Sequence, residues 1–126
     1  MCVGNACRSP MAEGFARTYG KDVIRPYSAG VAPASCLPPL TSAVMLEKGI
    51  DLDSHYPKAI DEVGVPRFDI VVNMSGFDLP WVDRAALREW QIEDPIGQPD
   101  KVYRRVRDEI ETKVMALILE LRRVGR

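Results

Sequence analysis

The fold is decided near the start of the chain, where residues 2–9 read Cys2-Val3-Gly4-Asn5-Ala6-Cys7-Arg8-Ser9. Five residues separate Cys2 from Arg8. Gly4 and Asn5 are residue types that accept left-handed backbone angles, so successive N–H groups can turn inward around an anion. The stretch therefore predicts a loop that binds a tetrahedral oxyanion and places a thiol beside it.

The residues after the loop strengthen this prediction. Ser9 followed by Pro10 predicts a helix with Ser9 as its N-cap, and a helix N-terminus favours an anion. The guanidinium of Arg8 has a planar fork of donors that matches two oxygens of phosphate or arsenate. Together these charges favour the thiolate of Cys2. We predict that Cys2 and Arg8 are catalytic, and that the substrate is bound by Val3, Gly4, Asn5, Ala6, Cys7 and Ser9.

Two other interpretations of the cysteines are open. A cysteine is often a small buried apolar residue with no chemical role. A metal site is also conceivable, built from Cys2, Cys7, Cys36 and His55. The spacing of Cys2 and Cys7 is longer than zinc sites usually have, and Arg8 would lie beside the cation. We therefore expect neither a metal nor another cofactor.

Composition limits the class of protein. The chain has 126 residues, which suits a single domain spanning 1–126. Its net charge of −1 gives no reason to expect a nucleic acid or a membrane surface as a partner. No apolar run is long enough for a membrane span. Three cysteines are an odd number for a disulfide framework, so we expect a reducing, cytoplasmic location.

Strand and helix patterns alternate along the rest of the chain. They predict a strand over 23–30, helices over 40–48 and 59–63, a buried parallel strand over 68–74, a strand within 87–92 and a helix over 100–123. The last helix has an apolar stripe made by Val102, Val106, Ile110, Val114, Leu117 and Leu121. This order predicts an α/β fold, a doubly wound three-layer sandwich with a small parallel sheet in flavodoxin-like order.

The first strand of such a sheet is incomplete in this sequence. A nucleophile loop of this kind should follow a buried central strand, yet only Met1 precedes Cys2. We expect the first strand to be missing or truncated, with the true start of the protein upstream. An intact mass near 14.1 kDa for the protein from its native source would contradict this expectation.

The loop resembles that of the low-molecular-weight protein tyrosine phosphatase superfamily, which reads Cys, apolar, Gly-Asn, x, Cys-Arg-Ser-Pro-Met-Ala-Glu. That superfamily includes the thiol-linked arsenate reductases. The resemblance implies that Asp94, in the pair Asp94-Pro95, is the general acid, with Glu93 as the weaker candidate. The pattern Gly-Ile-Asp-x-x-x-His over residues 49–55 also matches. His55 is then either an acid or base, or a structural hydrogen-bonding residue, and we favour the second role.

The resemblance implies two activities. The main expectation is a phosphate monoester hydrolase that forms a cysteinyl-phosphate, acts on a phosphorylated protein or a small phosphomonoester and is inhibited by oxyanions such as phosphate. However, Ile96-Gly97 follow Asp94-Pro95, where phosphotyrosine phosphatases usually have aromatic residues. Residues 90–110 instead look like the arsenate reductases.

Arsenate reduction, the alternative, needs a resolving thiol. The reductases have that cysteine just after the third strand, where this chain has Met74-Ser75-Gly76. Cys7, Cys36, thioredoxin, glutaredoxin or a small thiol would have to replace it. A third alternative is a non-catalytic module that binds phosphate.

Overall fold

The computed structural model describes residues 1–63 and 68–124. Within these ranges the chain forms helices α1 (Arg8–Tyr19), α2 (Pro39–Leu46) and α3 (Asp100–Val124), and strands β1 (Val71–Asn73) and β2 (Leu87–Glu89). A short 3₁₀ helix, Ile60–Glu62, precedes β1. The architecture is α/β, with parallel pairing of β1 and β2, as the alternating pattern predicted.

Backbone hydrogen bonds extend the two-stranded sheet toward the N-terminus. The Met1 amino group donates to the Val72 carbonyl, and the Met74 N–H donates to the Met1 carbonyl, both at 2.8 Å. On the other side, Cys2 forms a parallel bridge with Gly30, and Gly30 forms another with Ala59. Cys2 therefore lies at the centre of a row of parallel segments.

The predicted strand over 23–30 is wrong. Within the described ranges that segment has only the isolated bridge at Gly30, whose bonds include that from the Val31 N–H to the Cys2 carbonyl. Residues 25–28 make no backbone hydrogen bond there, so no strand forms before Gly30. Gly30 also lies too close to the loop for any side chain. A Cβ there would approach the Val3 carbonyl to 2.7 Å. Strand β1 is likewise shorter than the predicted 68–74.

The predicted N-cap at Ser9 is also wrong. Helix α1 begins at Arg8, its N-cap residue is Cys7, and no side chain caps it. The Ser9 hydroxyl is used within the loop instead, by Cys2 and Asn5. Helix α2 begins with a proline in its first turn, ends before the predicted Lys48, and is followed by a turn that includes Gly49 at φ 73°.

Helix α3 supplies much of the core. Its buried apolar residues are Val102, Tyr103, Val106, Ile110, Val114 and Ile118. They pack against α1 and α2, whose Phe15, Met11 and Met45 are fully buried. Leu117 and Leu121, which the predicted stripe included, are only half-buried, and Ile118 takes the inward position. Among the helices of residues 1–63 and 68–124, none is both long and apolar enough to cross a membrane.

Candidate active site

The loop between Cys2 and Arg8 has all its carbonyl groups bonded outward. The carbonyls of Val3 and Gly4 accept from the N–H groups of Ala32 and Ala34, at 2.8 and 2.9 Å. The Asn5 carbonyl meets His55 Nε2 at 3.2 Å, and the Ala6 carbonyl accepts from Thr41 Oγ1 at 2.9 Å. A peptide N–H points away from its carbonyl, so the loop N–H groups face the opposite, inner side.

These inner N–H groups have no protein acceptor among residues 1–63 and 68–124. Within the part of the chain that the structure describes, the N–H groups of residues 3–8 make no hydrogen bond to a backbone or side-chain oxygen. Buried N–H groups are almost always paired, so a set of unpaired ones at a helix N-terminus is typical of an anion site.

Asn5 fixes the curvature of the loop. It is fully buried and has φ 50°, the left-handed conformation predicted for it. Its side-chain oxygen accepts from the Lys58 N–H at 3.0 Å, and its amide nitrogen donates to Ser9 Oγ at 2.9 Å. These contacts compensate for the strain of a non-glycine residue at positive φ. Gly4, the other residue expected to be left-handed, does not have a positive φ.

Ser9 connects this network to the predicted nucleophile. Its Oγ lies 2.9 Å from Cys2 Sγ, and Cys2 is 2% exposed. Because Asn5 already donates to Ser9 Oγ, the hydroxyl proton of Ser9 is available to the sulfur. That arrangement gives Cys2 Sγ a hydrogen-bond donor.

Arg8 joins the loop to the ends of both strands. Its Nη1 donates to the carbonyls of Met74 and Ile92, the latter at 3.0 Å. Its Nη2 lies 3.4 Å from Asp94 Oδ2. Its Nε is buried and has no hydrogen-bond partner among the described residues. The guanidinium is thus held in place by carbonyls at Nη1, and its Nε–H is left without a protein acceptor among the described residues.

Asp94 lines a cavity together with Cys2 and Arg8. Its other oxygen, Oδ1, accepts from the Ile96 N–H at 3.2 Å, which fixes the turn at Asp94-Pro95. The cavity has a volume of about 20 Å³ and is lined by Cys2, Gly4, Ala6, Cys7, Arg8, Asp94 and Ile96. Space of this size holds little more than one small group. Glu93, the weaker candidate for the acid, does not line the cavity and forms an ion pair with Arg105.

Cys7 lies on the same cavity but in a different environment. Thr41 Oγ1 is 3.5 Å from its sulfur, and Tyr103 OH is 3.8 Å away. Burial raises the pKa of Cys7 and also the pKa of Tyr103. The contacts of Thr41 and Tyr103 with Cys7 are not predicted by the sequence. Nothing in the local pattern of α2 or α3 indicates that these residues meet the loop.

His55 serves here as a hydrogen-bonding residue. Its contact with the Asn5 carbonyl supports the loop from outside, and it does not line the cavity at Cys2. Burial lowers the pKa of His55, and the bond to Asn5 opposes that shift. The structure does not bring together the four residues of the metal alternative. No group of three potential metal-binding side chains (His, Cys, Asp or Glu) occurs in the described ranges, and Cys36 is exposed.

A loop and helix N-terminus that hold a cysteine, an arginine and a set of unpaired N–H groups are typical of the class of cysteine-dependent oxyanion enzymes. The model of the low molecular weight phosphotyrosine protein phosphatase family matches residues 1–79. The chain belongs to this family.

Individual relatives are similar over nearly the whole chain. The glutaredoxin arsenate reductase of Synechocystis sp. is 37% identical over 125 residues, which is 96% of this chain and 95% of the relative. A solved structure described as an arsenate reductase in the phosphate binding state has a TM-score of 0.87 and 36% identity, with 95% of this chain and 94% of that one covered. The YwlE arginine phosphatase from Geobacillus stearothermophilus has a TM-score of 0.82 and 28% identity, with coverage of 96% and 89%.

These similarities favour the alternative activity over the main expectation. The relatives of higher identity are named arsenate reductases, whereas the phosphatase is more distant. The arsenate reductases and the phosphatase share the family and an oxyanion substrate.

Proposed function

We propose that the protein is an arsenate reductase that uses Cys2 and an external thiol. The observation that supports this most directly is the set of unpaired N–H groups around a cavity of about 20 Å³. Space of this size admits a small group and excludes an aromatic ring. Among the described residues the cavity lining includes Ile96 and no aromatic residue, so it offers no flat surface for the ring of an aryl phosphate.

The first chemical step forms a bond between sulfur and arsenic. The Cys2 thiolate attacks arsenic while Arg8 and the loop N–H groups of Val3, Gly4, Asn5, Ala6 and Cys7 hold the oxygens. The As–O bond opposite the sulfur breaks, and Asp94 donates a proton so that the oxygen leaves as water. Ser9 positions the sulfur through its hydroxyl. In this scheme Cys2, Arg8 and Asp94 are catalytic, and no metal or cofactor takes part.

The second step reduces arsenic. A second thiolate attacks Cys2 Sγ, the S–As bond breaks, and its electron pair stays on arsenic, which leaves as arsenite. The two sulfurs lose two electrons and form a disulfide. A further thiol then reduces this disulfide and restores Cys2.

The second thiolate is best supplied from outside the chain. At the position that the resemblance assigns to a resolving cysteine, the Ser75 hydroxyl lies 2.6 Å from Asn73 Oδ1 and accepts from the Phe77 N–H. Cys7 is buried with a raised pKa, which disfavours its thiolate. A small thiol such as glutathione, assisted by glutaredoxin, agrees with the name of the Synechocystis relative.

The decisive experiment measures arsenite formation from arsenate with glutathione and glutaredoxin, and in parallel with thioredoxin. We expect turnover with the first system and none after Cys2→Ser. Cys7→Ser and Cys36→Ser should each retain most of the activity. Loss of turnover in Cys36→Ser, or in Cys7→Ser with phosphate binding intact, would identify an internal resolving thiol and contradict the external one.

Phosphate monoester hydrolysis remains the second candidate. The observation in its favour is the pairing of Arg8 with Asp94 at the cavity of Cys2, because the same acid would protonate an ester leaving group. Release of p-nitrophenol from p-nitrophenyl phosphate, lost in Cys2→Ser and without arsenite formation in the first assay, would establish it. Phosphate binding with neither activity would indicate a binding module.

The remaining expectations are part of the same proposal. We infer one domain over 1–126, doubly wound with three layers and a flavodoxin-like strand order. We also infer a cytoplasmic enzyme whose partners are an oxyanion substrate and a thiol, without nucleic acid or a membrane. The row of parallel segments through Cys2, Gly30 and β1 supports the strand order.

A further inference from the structure

A second and larger cavity lies beside the loop. It has a volume of about 310 Å³, within the range of small-molecule sites, and shares no residue with the cavity at Cys2. It is lined by Glu13, Arg17, Tyr27, Ser28, Ser54, His55, Tyr56, Lys58 and Val63. The activity proposed above does not use it.

Its walls combine flat rings with positive charge. The side chains of Tyr27 and Tyr56 are each 57% exposed, so their rings are accessible. The Lys58 ammonium lies 4.7 Å from the centroid of the Tyr56 ring. Within the described ranges Lys58 has no carboxylate within 4.0 Å, so its charge is not compensated by an ion pair.

Among the described residues that line the cavity, the one acidic side chain, Glu13, already has partners within the protein. Glu13 Oε2 is 2.6 Å from Arg17 Nη2, and Glu13 Oε1 accepts from the Ser28 hydroxyl. The charges of Glu13 and Arg17 therefore largely cancel, and Lys58 sets the sign of the site. A cation would be repelled, whereas an anion with a planar ring would find both a charge and a stacking surface.

We propose that this cavity binds a small organic anion that has a planar aromatic ring, with Lys58 pairing with its charge and Tyr27 and Tyr56 contacting its ring. The chemical class includes aromatic carboxylates, sulfonates and phosphates. The inference does not depend on whether the loop reduces arsenate or hydrolyses phosphate esters.

A ligand in this cavity would change the hydrogen-bond support of Cys2. His55 and the Lys58 backbone, both on the cavity, bond to the carbonyl and side chain of Asn5. Asn5 donates to Ser9, and Ser9 contacts Cys2 Sγ. A ligand that shifts residues 55–58 therefore changes the support of the nucleophile through three consecutive hydrogen bonds.

Calorimetric titration with naphthalene-2-sulfonate tests the site, with saturating phosphate present to occupy the loop at Cys2. We expect saturable binding that weakens at least fivefold in Lys58→Gln and in Tyr56→Ser. Lys101→Gln, which removes an exposed lysine of α3, is the matched control and should change affinity less than twofold. No saturable binding, or equal binding by Lys58→Gln, would overturn the proposal.

Two further ligands separate the contributions of ring and charge. Sulfate has the charge without the ring, and 2-naphthol has the ring without the charge at neutral pH, so both should bind at least tenfold more weakly. Equal binding of either one would contradict recognition of a planar anion.

The coupling between this cavity and Cys2 is measured by peptide-resolved alkylation of Cys2 with iodoacetamide in phosphate-free buffer. The naphthalene compound should change this rate at least twofold, and an unchanged rate at saturation would overturn the link to Cys2.

Discussion

Arg8 Nη2 lies 3.4 Å from Asp94 Oδ2, although one residue begins α1 and the other lies in the loop after β2. The pair places a cation and a carboxylate at the cavity of Cys2. An oxyanion that binds there must share Arg8 with Asp94 and lie close to the carboxylate. When Asp94 is ionised it opposes anion binding electrostatically, and in the proposed mechanism it supplies the proton for the leaving group.

Asp94→Asn separates these two effects. Turnover should fall by about 100-fold or more, the range for loss of a general acid. Phosphate affinity should be unchanged or higher, because the competing negative charge is gone. Arsenite formation gives the first quantity and calorimetry with phosphate gives the second.

Glu93→Gln is the matched control for that variant, since Glu93 is the adjacent carboxylate and pairs with Arg105. It should retain turnover within about twofold, because surface ion pairs contribute little. A larger loss of turnover in Glu93→Gln than in Asp94→Asn would transfer the acid role to Glu93.

Arg8→Lys should weaken phosphate binding by about 10- to 100-fold, since a hydrogen bond to a charged group contributes about 1.5–3 kcal/mol. A lysine has no planar fork and cannot serve the Met74 and Ile92 carbonyls and the anion together. The melting temperature should fall as well. In Arg105→Lys, which changes an exposed arginine, both quantities should stay near wild type. Phosphate affinity preserved in Arg8→Lys would contradict the assigned role.

Ser9→Ala tests the support of the nucleophile. Without the hydroxyl 2.9 Å from Cys2 Sγ, the sulfur loses its hydrogen-bond donor, and alkylation of Cys2 at pH 7 should slow by about 5- to 10-fold, the equivalent of one hydrogen bond. Thr112→Ala, which removes an exposed hydroxyl of α3, is the control. An alkylation rate equal to wild type in Ser9→Ala would show that Asn5 and the loop amides suffice.

Local patterns predicted those parts of the molecule that depend on neighbouring residues. The loop, the left-handed Asn5 and helix α3 follow from residue types a few positions apart, and the structure contains all three. The strand over 23–30 was wrong because only its end at Gly30 pairs with neighbouring segments, whereas residues 25–28 make no backbone hydrogen bond in the described ranges. The N-cap at Ser9 was wrong because Cys2 and Asn5 compete for its hydroxyl.

Contacts between segments that are distant in the sequence could not be predicted from local patterns. Thr41 reaches Ala6 and Cys7 from α2, and Tyr103 reaches Cys7 from α3. Each is a common residue type on a helix face, and only packing of the helices against the loop gives it a role. The position of Asp94 at Arg8 similarly depends on how the loop after β2 folds back.

Glu47 connects α2 to α3 and gives a prediction of pH dependence. Its carboxylate accepts from Arg104 and Arg107, and Arg107 is nearly buried and also donates to the Val44 carbonyl. Hydrogen bonds from Arg104 and then Arg107 lower the pKa of Glu47 from 4.5 to about 2. A carboxyl with a lowered pKa in the folded state stabilises the protein above its unfolded pKa, and this contribution disappears as the pH falls through the folded pKa.

Glu47→Gln should therefore lower the melting temperature at pH 7 and lose its effect as the pH falls from about 4.5 to about 2. Thermal unfolding of wild type and variant across pH 2–7 measures the difference directly. Glu109→Gln, which removes an exposed carboxylate from α3, should give a small difference that varies little with pH. A gap between wild type and Glu47→Gln that stays constant down to pH 2 would mean that Arg107 is held by Val44 and not by the charge of Glu47.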